Sequence, residues 1–89
     1  SVAAAQLFTP APHPFSAGAE ISFTLPQQTS VRVELYDIRG RRAAVIADGR
    51  YDEGRSSIAF DASTLPAGLY ILRLSTPEAI LQRQVIHLR

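Results

Sequence analysis

The sequence predicts an all-β protein, an antiparallel sandwich of seven strands. Apolar residues recur with period two along most of the chain, the pattern of strands buried on one face. Clusters of Pro, Gly, Asp and Ser cut that alternation into short runs at regular spacing. No segment shows sustained helical spacing of apolar residues.

Each element follows in order. Gln6-Leu7-Phe8 completes the count of seven if it pairs at a sheet edge. In Ala19-Glu20-Ile21-Ser22-Phe23-Thr24-Leu25 the odd positions are apolar and the even ones polar. Pro26 then breaks the ladder, because it has no N–H to donate. Val31, Val33 and Leu35 share the inward face of the next run. Asp37-Ile38-Arg39-Gly40 has Asp at the first turn position and Gly at the last, which favours a type I turn. A left-handed Gly40 would close it as a tight bulged hairpin. Arg41 to Ala47 reads as the return strand, and Asp48-Gly49 through Glu53-Gly54 as a polar connection. Ile58 and Phe60 share a face of the fifth strand. Asp61 to Gly68 is a longer crossing loop. Leu69-Tyr70-Ile71-Leu72-Arg73-Leu74 is apolar on both faces, which marks a central strand. Thr76-Pro77 turns the chain into a last strand, Ala79 to Leu88.

Composition narrows the function. A chain of 89 residues makes one domain with one core, and at this size it buries only roughly 60–65% of its unfolded surface. Residues 1–5 read as the remnant of a linker and residues 6–89 as the domain. There is no Cys, so no disulfide or thiolate metal site is available. All 9 basic side chains are Arg, which removes amine nucleophiles. The net charge is +1 with scattered charges, which argues against nucleic acid. No apolar run approaches the roughly 20 residues of a membrane span.

Tyr70 opens the sixth strand directly after the crossing loop, the place of a tyrosine corner in immunoglobulin-like sandwiches. The alternative is a plain core aromatic. Several phrases then fall in order: Pro12-His13-Pro14-Phe15, Leu35-Tyr36-Asp37-Ile38-Arg39-Gly40-Arg41, Leu65-Pro66-Ala67-Gly68-Leu69-Tyr70, and a basic-apolar final strand. Together they resemble the C-terminal sorting domain (type A) of the type IX secretion system of Bacteroidota, from about Leu7 to Arg89. The immunoglobulin-like domain of flagellar hook-capping proteins is similar in pattern.

The resemblance implies a seven-stranded immunoglobulin-like β-sandwich that acts as a non-catalytic secretion signal. Its partners would be the type IX machinery, a sortase-like peptidase and an N-terminal cargo domain. The cargo would pass through the periplasm and across the outer membrane, then be released or attached at the cell surface. Two departures stand out. The family usually has Pro-Asn-Pro where this chain has Pro12-His13-Pro14. It favours Lys near the end, where this chain has Arg83 and Arg89.

Candidate sites divide into structural and recognition roles. Pro12, Pro14, Tyr36, Asp37, Gly40, Arg41, Pro66, Gly68 and Tyr70 carry the family pattern and read as structural. Pro12 and Pro14 have a second reading, as surface read by the translocon. In the last strand Arg83, Val85, Ile86, His87, Leu88 and Arg89 are the candidates for translocon recognition, by strand addition at an edge. Ordinary sheet is the alternative. Ile80, Val85, Ile86 and Leu88 can bury, with Arg83 and Arg89 wet or in surface pairs. Arg39, Arg41 and Arg42 form a basic tip, read either as solvated or as facing an acidic surface.

No cofactor or metal is expected. His13 and His87 would have to meet a carboxylate in space to bind one; the alternative is solvated or half-buried histidines. Asp48, Asp52 and Glu53 share a connection, but their spacing fits no calcium loop. No nucleophile elbow is present. Rival functions are an accessory binding module for carbohydrate or a surface protein, for which only Tyr36 and Tyr51 would be exposed aromatics, and a stabilising cap for a secreted enzyme.

Overall fold

The computed structural model describes residues 4–89. Seven strands form: β1 (Gln6–Leu7), β2 (Gly18–Leu25), β3 (Thr29–Asp37), β4 (Arg42–Tyr51), β5 (Gly54–Asp61), β6 (Gly68–Ser75) and β7 (Ile80–His87). Among the described residues there is no helix. A three-stranded sheet in the order β1-β2-β5 faces a four-stranded sheet in the order β4-β3-β6-β7, and every strand pair is antiparallel. Of the linker expected over residues 1–5, residues 1–3 lie outside the described residues.

The alternation seen in the sequence becomes the core. Phe23, Leu25, Val33, Leu35, Leu72 and Leu74 project between the sheets and are at most 1% exposed. Alternate residues of a strand point to opposite faces, so these few positions fix the register of β2, β3 and β6. β6 lies between β3 and β7, as its two apolar faces predict.

The β3–β4 hairpin forms on its expected residues. Gly40 N–H donates to Asp37 O at 3.0 Å, and Gly40 takes φ of 83°, which an L side chain resists. β4 differs from expectation by running on to Tyr51. Thr29 and Val31 at the start of β3 need ladder partners, and Tyr51 and Gly49 provide them. The polar connection shrinks to Asp52 and Glu53, where the chain crosses from one sheet to the other.

The segment before β2 also spans both sheets. Ala11 pairs with Glu20 of β2, while Phe15 makes a parallel bridge to His87 of β7. Pro12, His13 and Pro14 lie exposed between those two anchors.

Candidate functional site

β7 is an edge strand of the larger sheet, and its two ends differ. At the far end Val85 and His87 face inward and are 1% and 4% exposed. His87 stacks on Phe15 with ring centroids 5.0 Å apart and planes 12° from parallel. Its Nε2 stands 3.1 Å from the Leu65 carbonyl and its Nδ1 3.3 Å from the Phe15 carbonyl. One buried imidazole thus touches the Pro-rich segment, the crossing loop and the last strand. Tyr70 sits beside it, with ring centroids 6.2 Å apart. The Tyr70 hydroxyl donates to Pro66 O at 2.5 Å, which realises the tyrosine corner. Burial pushes the Tyr70 phenol up, and the Asp37 charge adds to the effect. Gly68, with φ of 153°, turns the loop into β6.

The outward backbone groups at this end are already engaged. Phe15 N–H donates to Ile86 O at 3.1 Å, and Leu88 N–H donates to Phe15 O at 2.7 Å. Ile86 N–H donates to His13 Nε2 at 3.2 Å. The two histidines therefore come to neighbouring residues, but each is committed to backbone groups.

Four expectations for the last strand and the histidines are corrected. Of Ile80, Val85, Ile86 and Leu88, only Val85 buries. Ile80 is 64% exposed, and Ile86 and Leu88 are exposed as well. His87, expected in water or half in it, is buried. The cause is parity: the inward face of β7 carries the odd residues, so Ile80, Ile86 and Leu88 fall on the outer face. Arg83 stays exposed, yet it is not simply wet. Its Nε donates to Leu7 O at 2.6 Å and its Nη1 to Thr9 Oγ1 at 3.3 Å, tying β7 to β1 in the other sheet. Sequence reading missed this tie, since residues 76 apart in the chain leave no local signal.

Elsewhere the candidates resolve into structural roles. Asp37 caps the β3–β4 turn: Oδ1 accepts from Arg39 N–H at 2.9 Å and from Arg41 N–H at 3.0 Å, and Oδ2 pairs with Arg41 Nε at 3.3 Å. The Arg41 backbone N–H, foremost among these contacts, holds the carboxyl below its ordinary value. Arg42 pairs with buried Glu34 at 3.2 Å, and Glu34 also accepts from the Tyr36 hydroxyl. The arginine tip is thereby largely engaged with its own hairpin. Asp48 pairs with Arg32, while Asp52 accepts from Gln28, so these acids do not converge. Tyr36 lies under the Arg73 guanidinium, and Tyr51 packs edge-on to Phe23. Both tyrosines, expected to be exposed, are half-buried.

A protein-family model described as the secretion system C-terminal sorting domain matches residues 11–87. The chain belongs to that family. The sorting domain is a C-terminal secretion signal of the type IX system, a targeting element rather than a catalyst. It implies type IX machinery and an N-terminal cargo as partners, with export to the cell surface or beyond. No curated protein and no solved structure matches this chain. Its matched stretch begins at Ala11, on the Pro-rich segment, and closes on His87, so it includes both rings of the Phe15–His87 stack. No helix among the described residues is long and apolar enough to cross a membrane.

Proposed function

We propose that the machinery reads this signal as a folded body, through the last strand. The fold is of the immunoglobulin-like type, a reading supported by the three-against-four strand order and the Tyr70 corner. The observation that carries the proposal is that β7 lies at the edge of the larger sheet while its far end is anchored in the core. A rigid edge needs no ordering when it binds, so less entropy is lost on docking. The cargo travels in the periplasm with this domain attached, and a sortase-like peptidase removes the domain after passage of the outer membrane. Arg83, Ile86, Leu88 and Arg89 are the members of the proposed recognition set with exposed side chains. Val85 and His87 contribute by holding the strand in place.

The test fuses residues 1–89 to a periplasmic reporter in a type IX host. Reporter at the surface or in the medium is expected, and reporter retained in the periplasm overturns the proposal. Deleting Val85 to Arg89 should abolish export, but the deletion also removes core. Replacing Leu88 and Arg89 together with Ser leaves the core intact and isolates the exposed part. Export unchanged by that double substitution excludes these two side chains from recognition.

A further inference from the structure

The Pro-rich segment and β7 together define how much of the sheet edge is open. Phe15 lies parallel to β7 and exchanges hydrogen bonds with Ile86 and Leu88. The edge of β7 therefore already accepts an extended backbone over its last residues. That internal pairing stops at once. The next outward donor, Ile86 N–H, goes to the His13 ring rather than to a backbone carbonyl, and upstream of His13 the chain leaves for Ala11 and the other sheet.

Upstream of this plug the edge changes character. Ile86 directs its N–H and C=O away from β6, so Gln84 and Gln82, two and four residues earlier, do the same. Among the described residues nothing bonds the outward backbone groups of Gln82 or Gln84. The β6–β7 ladder runs from Ser75–Ile80 to Gly68–His87 without a register shift. By contrast β4, the opposite edge of this sheet, is broken by two shifts, and β1 is only two residues long. β7 carries neither a proline nor a bulge, and its guard is the charge of the inward-facing Arg83.

We infer that Ile80–Gln84 is a strand-addition site for an extended, acidic segment of a partner protein. The inference rests on the sorting-signal reading and moves the contact upstream of the very last residues. A run of five residues spans roughly 14 to 17 Å, enough for one short strand. The occupant's charge follows from the cation beside the open backbone. Arg83 is exposed, and its guanidinium also reaches Leu7 O and Thr9 Oγ1. Arg73 lies one strand further in, over the Tyr36 ring. A carboxylate on an added strand would meet Arg83. A second copy of this chain fits poorly. Two β7 strands paired antiparallel and centred on Gln82 would bring both Arg83 side chains onto the same face within one diagonal step, where like charges repel.

Proline substitution tests the edge directly. Gln82→Pro and Gln84→Pro remove outward N–H groups that the fold leaves unused, while Gln82→Thr and Gln84→Thr keep the N–H and change only the side chain. In the type IX reporter host each proline variant should export about tenfold less or worse than its threonine counterpart, which carries the same loss of the Gln side chain but keeps the N–H. Thermal melts establish that each variant is folded. A photo-crosslinking residue at Gln84, set against one at Ala59 on the unbroken β5 edge, covers the case in which a proline variant fails to fold. Capture of a different protein from position 84 and none from 59 is expected. Folded proline variants that export at the parent level overturn the inference, as does capture from 59 alone, or from 84 of a second copy. If the parent fusion itself is not exported, the sorting-signal reading fails instead, so the two failures are separable.

Discussion

Val85 and His87 are buried, His87 among Phe15, Leu65 and Tyr70. A few residues earlier in the same strand, Ile80, Gln82, Arg83 and Gln84 are exposed. One strand thus combines a foundation with a free margin. The foundation holds the margin straight, because a strand anchored at one end and paired along its length to β6 cannot fray freely. The comparison also explains why truncation from the C-terminus is a blunt instrument, since it removes the anchor and leaves the margin without support.

The largest break in this comparison comes from Phe15→Ala. Phe15 is 2% exposed and forms one wall of the His87 site. Its loss should cost about 3–4 kcal/mol in urea unfolding, through lost burial and the cavity left behind. A cost under about 1 kcal/mol would mean that the far end of β7 is not the anchor. Tyr70→Phe keeps the ring and removes only the hydroxyl that donates to Pro66. It should cost about 1–1.5 kcal/mol, because the Pro66 carbonyl loses a partner. Ile80→Ser acts at the open margin and should change stability by no more than about 0.5 kcal/mol. A larger loss would show that Ile80 is packed in solution.

The smallest effect is read by acid titration. Asp37, opposite Tyr70 in the β3–β6 ladder, has its carboxyl held below the ordinary 3.8 by backbone N–H groups. A depressed folded value means that the stabilisation is present above the unfolded value and lost as pH falls through the folded one. Asp61 behaves alike, through the Ser63 backbone N–H. Asp37→Asn should therefore lower stability at neutral pH, with the difference from the parent shrinking as pH falls below 3.8, so that the acid limb flattens. An acid limb as steep as the parent's would remove Asp37 from that account.

Much of the fold is legible in the residues because alternation and turn chemistry are local. Val31, Val33 and Leu35 point inward as their spacing requires, and Asp37 with Gly40 specifies its own turn. The limits of β4 are less legible. Asp48, Gly49 and Arg50 look like loop, but the ladder of β3 holds them extended. The last strand misleads for a different reason. Val85 and Ile86 are adjacent and both apolar, so hydrophobicity cannot say which faces the core, and His87 carries no sign that it will be buried. Only the meeting with Phe15, 72 positions earlier, decides it. The tie from Arg83 to Leu7 is hidden for the same reason: it joins elements far apart in the chain.

The stacking of Phe15 on His87 has a consequence for the order of assembly. A ribosome delivers Phe15 early, but its ring has no seat until almost the whole of this sequence has emerged. Loops that long close late, after nearer pairings have formed. The domain therefore completes its core only once its last strand has been synthesised, and a prematurely terminated chain would leave the Phe15 ring uncovered, open to surveillance by chaperones and proteases.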